Sequence, residues 1–141
     1  MTKITYRNLR KSDLPAFTEF VEMHFPAEKN KIKWWLGKPS LCLVAVFGKE
    51  IIGFILVTEY SVGNTIELIA VDKEHQRQKI GTNLVKEAVR KYETDMVWTV
   101  SFSTHAGRDL FKSLLTEEPA TEGVTAFNGR DIITKGDKNE L

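Results

Sequence analysis

The sequence predicts a mixed α/β (α+β) domain, one layer of sheet covered by helices, and three observations lead there. The apolar runs "LCLVAVF" and "IIGFILVTEY" are separated only by "GKE" and read as an antiparallel hairpin. A third run, "TIELIAV", is apolar enough for a central strand and passes through a polar turn into a helix-patterned segment. The whole order reads strand, two helices, several strands, helix, strand, helix, strands.

Each element has its own warrant. "KITYRNLR" alternates Ile4, Tyr6 and Leu9 with polar residues, the pattern of an opening strand. Ser12 is a suitable helix N-cap, and Pro15 falls in the first turn, where its missing N–H does no harm. Leu14, Phe17, Phe20 and Val21 then repeat at helical spacing until His24-Phe25-Pro26. "AEKNKIKWWLGK" predicts a shorter helix closed by Gly37, and "VGN" a turn between the second and third apolar runs. Leu84, Val85, Ala88, Val89 and Tyr92 share one face of the next helix. "MVWTVSF" is a further strand and "AGRDLFKSLL" a further helix. "GVTAFNGRDIITK" suggests a last hairpin turned by Asn128-Gly129. Residues 1–135 form a single domain on this reading, with 136–141 a polar tail.

Composition narrows the function classes. The 141 residues are 42% apolar and 28% charged, enough for one domain with a core and ordinary for a globular chain. A formal net charge of +1 argues against bulk-charge binding of nucleic acid, so any anion site must be local. The single cysteine, Cys42, lies within an apolar run and reads as a packed strand residue. The lone thiol and the lack of any run of transmembrane length suit a cytoplasmic protein away from membranes. "KNEL" at the end loosely resembles an ER-retention tail, but with no signal segment a polar end is the expectation.

The most informative stretch is "HQRQKIGTNLV", His75 to Val85, where amide and basic side chains crowd a turn into a helix. The first backbone N–H groups of a helix lack intrahelical acceptors, and the helix dipole adds positive charge there. Phosphate is the natural ligand of such a turn. Glycine at Gly81 would serve a close approach of backbone or a positive φ. A lone glycine here is equally compatible with an ordinary strand–helix connection.

Taken with its approach, "IELIAVDKEHQRQKIGTNLV" resembles the acetyl-CoA-binding motif of the GNAT superfamily of N-acetyltransferases. That motif runs Gln/Arg-x-x-Gly-x-Gly/Ala after an apolar strand and before a helix. Gln76, Ile80 and Gly81 match it, whereas Lys79 stands at the usual first glycine. The opening "ITYRNLRKSDL", the hairpin and the later strand–helix pair also follow the family order. The resemblance implies a mostly antiparallel central sheet flanked by helices and splayed at the cofactor slot. It implies that the backbone from Gln76 through Arg77, Gln78, Lys79, Ile80 and Gly81 to Thr82 holds the CoA pyrophosphate. The strand Ile69-Ala70-Val71 would pair with the pantetheine arm, and Thr104 and Phe111 would meet it from the later helix.

Acetyl transfer to an amine requires deprotonating the acceptor, since a lysine-like ammonium has a pKa of about 10.4. Glu67 is the candidate base and also an acceptor contact. Strand alternation puts it with Ile69 and Val71, opposite Leu68 and Ala70, and a carboxylate in an apolar strand is costly unless solvated, paired or used. A structural ion pair is the competing reading. The amide of Val71 is placed to stabilise the thioester oxygen. Laying the family's Asn…Ala…Tyr pattern on "VSFSTHAGRDLFKSLL" puts Thr104, Gly107 and Phe111 at those positions, so the usual acid hydroxyl is missing. His105 is the alternative proton donor, with water as another.

The resemblance assigns the acceptor pocket to the two N-terminal helices, whose "HFPAEKNKIKWWLGKP" offers His24, Trp34 and Trp35 among lysines. Such a rim favours an acidic or neutral acceptor. The leading expectation is an acetyl-CoA-dependent N-acetyltransferase acting on a primary amine in a ternary complex, with no metal. Family members are often dimers, so a homodimer stays open. The alternative is a non-catalytic acyl-CoA-binding sensor or partner module, favoured by Lys79 and Phe111. A third reading makes "KEHQRQKIGTNLVKEAVRK" a nucleic-acid or protein contact surface, but Glu74 and Glu87 interrupt its charge.

Overall fold

The computed structural model describes residues 3–37, 40–75, 78–92, 95–101, 105–115, 119 and 123–133, with Glu28, Lys31, Trp34, Trp35, His105 and Ala106 described by their backbone alone. Strands β1 (Ile4–Asn8), β2 (Ser40–Phe47), β3 (Glu50–Tyr60), β4 (Gly63–Val71), β5 (Val97–Ser101) and β6 (Val124–Asn128) form one sheet in sequential order. The β4–β5 pair is parallel and the others are antiparallel. Helices α1 (Leu14–His24), α2 (Lys29–Leu36), α3 (Ile80–Arg90) and α4 (His105–Leu114) cover it.

The two sheet faces carry separate cores. On one, Leu84, Val85, Ala88 and Val89 of α3 pack with Phe111 of α4 over Leu43, Ile55, Val57 and Trp98. On the other, Phe17, Phe20 and Val21 of α1 and Ile32 of α2 pack over Val44, Val46, Phe54 and Leu56. Three rings meet Phe54 edge-on, Phe17 at 5.0 Å, Phe20 at 5.9 Å and Phe25 at 6.1 Å. Burying each such ring contributes about 1.5–3 kcal/mol, so the aromatic spacing of α1 fixes how it lies on the sheet.

Two local expectations are corrected. Ser12 lies inside a 3-10 turn, Lys11–Asp13, and Asp13 is the residue that precedes α1. The Asp13 carboxylate accepts the Arg7 guanidinium at 2.6 and 2.9 Å and the Arg10 amide at 2.7 Å, which fixes the turn ahead of the helix. The expected final hairpin is absent among the described residues: β6 pairs with β5 and residues 129–133 are helical. Asn128 Oδ1 accepts the Arg130 amide at 2.8 Å, capping this turn of helix instead of opening a hairpin. Ile132, fully buried in the α3-side core, anchors it there.

Candidate active site

A bulge in β4 organises the site. Leu56 of β3 faces Leu68 while Val57 faces Ile66, so Glu67 is the extra residue. It alters the predicted alternation. Ile66, Ile69 and Val71 pack on the α3 side, and Leu68 and Ala70 on the α1 side. Glu67 does not share the face of Ile69 and Val71, as expected from simple alternation. Its Oε1 accepts the hydroxyl of Tyr60 at 3.3 Å, and Tyr60 shares the face of Phe54 and Leu56 by strand parity. The Glu67 carboxylate therefore stands on the side of α1 and α2.

The same point is a fork. β5 pairs with β4 through Asn64↔Trp98, Thr65↔Thr99 and Ile66↔Val100, and its pairing stops where the bulge begins. β4 runs on to Val71, paired with β3. The Asp72 amide donates to Ile52 of β3 at 2.8 Å, so backbone alternation turns the amides of Ile69 and Val71 to the edge that β5 has left. Gly63 lets the two strands meet at the closed end. Its φ is +146°, and a Cβ there would lie 2.5 Å from the Val97 carbonyl oxygen.

Beyond β4, a 3-10 turn (Lys73–His75) leads toward α3. Its His75 ring packs on Phe47 at 5.5 Å, closing the strand end. Gln76 and Arg77 lie outside the described residues. Gln78 is exposed, and Lys79 takes φ 58°, ψ 24° as the residue preceding α3. Positive φ falls on Lys79, whereas Gly81 is a helical residue within α3. A Cβ on Gly81 would meet Leu110 Cδ2 at 3.2 Å, so glycine here brings α3 close to α4. No side chain caps α3 and its first turn holds no acid. The Ile80 side chain is in the core, which leaves its backbone as the part able to meet a ligand. This donor set, amides and a helix dipole with no acid in the first turn, fits a pyrophosphate.

Other predicted residues distribute as follows. Thr104 lies outside the described residues, His105 is the first residue of α4, and Trp34 and Trp35 are in α2. Phe111 is corrected: it is fully buried, 5.7 Å from the Phe127 ring, and has no exposed surface for a cofactor. Apolar burial, with no hydroxyl to bring it to the slot, accounts for this. His24 ends α1 with its ring 4.3 Å from Phe20, and its Nε2 is buried without a partner. Through Phe20 and Phe25, this end of α1 packs on Phe54, the cross-strand partner of Ala70. A cavity of about 300 Å3 between α1 and α2, bounded by Phe17, Val21, Ile32 and Lys33, is lined by no strand residue and is separate from the fork. Tyr60 went unnoticed in the sequence, where nothing tells that a hairpin would bring it to Glu67.

A strand that forks from its parallel neighbour and then feeds an uncapped helix makes a slot that ends in an anion site. Residues 6–115 match the model of the acetyltransferase (GNAT) family, and the chain belongs to that family, whose activity is acetyl transfer. Among solved structures it is similar to the ribosomal-protein-S18-alanine N-acetyltransferase from Escherichia coli, at 23% identity over 89% of this chain and 94% of that one, TM-score 0.66. It is also similar to the PaiA N-acetyltransferase from Thermoplasma acidophilum in complex with coenzyme A, at 16% identity over 89% and 99%, TM-score 0.68. An aminoglycoside 6'-acetyltransferase type Ii aligns at 13% identity over 88% and 96%, TM-score 0.71. No curated protein matches the chain. Among the described residues, no helix is long and apolar enough to cross a membrane.

Proposed function

We propose that this protein is an acetyl-CoA-dependent N-acetyltransferase that passes acetyl directly to a primary amine within a ternary complex. The observation that carries the reading is the Glu67 bulge at the β4–β5 fork, which puts a carboxylate on the α1–α2 side while the Ile69 and Val71 amides face the slot. The backbone from Gln76 to Thr82 holds the pyrophosphate, and Ile69 and Val71 pair with the pantetheine arm on either side of Ala70. Bound acetyl-CoA supplies the thioester whose C–S bond breaks as the amine nitrogen forms the new C–N bond. Glu67, directly or through a water, takes the proton that the ammonium must lose before its lone pair can attack. The Val71 amide donates to the carbonyl oxygen as negative charge develops on it.

With Phe111 enclosed, the departing thiolate takes its proton from water or from His105 at the start of α4. A thiol of cysteine type has a pKa of about 8.5, which makes the thiolate a tolerable leaving group near neutral pH. His24, Trp34 and Trp35 of α1 and α2 shape the acceptor side. A reducing cytoplasm suits the lone buried thiol of Cys42.

Thiol release from acetyl-CoA tests the reading, against a panel of a small alkylamine, an aminosugar, a peptide N-terminus and a lysine peptide. Turnover with at least one, abolished in Glu67→Gln, is the expected result. The missing hydroxyl at Phe111 favours one second reading, a module that binds acyl-CoA without turning it over. Binding of acetyl-CoA with no thiol release across the panel would select it.

A further inference from the structure

Tyr60 closes β3 opposite Gly63, seven residues before Glu67, and the two share one face of the β3–β4 hairpin, Glu67 four positions further along β4. Glu67 follows Thr65 in regular alternation onto the Tyr60 face, where the phenol donates to Oε1 at 3.3 Å, and the bulge sends Ile69 and Val71 to the opposite face. The ring is about half exposed at 48%, so it stands at the surface an acceptor must cross. Around the pair, the positions in register on this face are Thr58, Thr65 and Thr99, with Val97 further along β5. None of these is ionisable, and among the described residues the charge acting on the phenol is that of Glu67.

Resting on the reading of Glu67 as the base, we infer that Tyr60 is a positioning residue for that carboxylate. A glutamate on a half-open sheet face samples several staggered rotamers. The phenol, on a side chain with only two torsions, holds one carboxylate oxygen and leaves the other for the acceptor amine. The bond is long for an O–H···O contact, and such contacts in ligand-free sites tighten when substrate binds. The coupling already has an electrostatic signature. Partial desolvation and the adjacent Glu67 charge raise the phenol above the ordinary tyrosine value.

Two measurements test this, and the first needs no acceptor. In protein labelled at tyrosine Cζ, the Tyr60 resonance, assigned by its loss in Tyr60→Phe, is titrated with pH in wild type and in Glu67→Gln. Ionisation at lower pH in Glu67→Gln is expected, and an unchanged midpoint overturns the contact. The second is the pH profile of kcat/KM with the best amine of the panel. Tyr60→Phe should lose about tenfold near pH 6.5. Its acidic limb should move to higher pH, with the affinity for acetyl-CoA unchanged. A profile superimposable on wild type, beside an inactive Glu67→Gln, overturns the inference while leaving Glu67 as base. A fully active Glu67→Gln overturns both.

Discussion

The carbonyl of Lys79 accepts the amide of Asn83 at 2.9 Å, so the first hydrogen bond of α3 is made by a lysine in the left-handed region. An L-residue with a Cβ costs roughly 1–2 kcal/mol there, and the family's usual glycine avoids that cost. A phosphate bound at the turn would offset the strain by drawing the Lys79 ammonium to it. Lys79→Gly should therefore stabilise the free protein by about 1 kcal/mol and raise Tm by a few degrees. The same change should weaken acetyl-CoA binding about two- to fivefold and flatten its salt dependence. Melting curves and titrations at two ionic strengths check both halves. Unchanged affinity and salt slope would remove Lys79 from the site.

Glu67→Gln keeps the shape of the bulge but cannot take a proton. Turnover should fall by about 10²–10⁴-fold while acetyl-CoA affinity holds within about twofold. Steady-state kinetics beside calorimetry separates this from misfolding, because an unfolded variant would lose binding too.

Gly63 sits where β3 turns into β4 against the backbone of β5, and a Cβ there has no room. Gly63→Ala combines backbone strain with a clash against a carbonyl that cannot rotate away. It should lose about 3 kcal/mol or more in urea unfolding. A loss under about 0.5 kcal/mol would mean that the closed end of the fork is looser than described.

The Arg7 guanidinium, bonded to Asp13, lowers that carboxyl to about 2, with the Arg10 amide adding to the effect. A carboxyl depressed in the folded state binds its proton more readily when unfolded, so stability falls as pH drops. The contribution is present above about pH 4 and is lost as pH falls through about 2. Asp13→Asn should be less stable at pH 7 and should flatten the stability curve across that window, by urea unfolding at successive pH values.

Burial pushes the Cys42 thiol up to about 12. Native protein should consequently resist a disulfide reagent at pH 8 and react fully once unfolded. Stoichiometric labelling of the native state within minutes would contradict the packed position of Cys42.

The legible parts of this fold were the ones written in periodicity. The α3 face and the β2–β3 hairpin follow from apolar spacing, and the turn into α3 from its amide and basic side chains. Three features escaped because they depend on contacts distant in sequence. The Asp13 carboxylate is claimed by Arg7 of β1, which moves the start of α1 past Ser12. The Glu67 bulge follows from how β3 and β4 pair, and one extra residue puts Ile69 and Val71 on the face opposite Glu67. Asn128-Gly129 suits a hairpin locally, yet Ile132 buries better as part of a helix. Lys79 was visible as a departure from the motif, and the left-handed backbone that a glycine position can demand is what it adopts, at φ 58°.

A calorimetric titration with acetyl-CoA at low and moderate salt tests the central claim most directly. One-to-one binding at micromolar affinity, weakened by salt and by Lys79→Gly, is the result predicted for a pyrophosphate seated on the α3 N-terminus. No heat of binding at either salt concentration would contradict it.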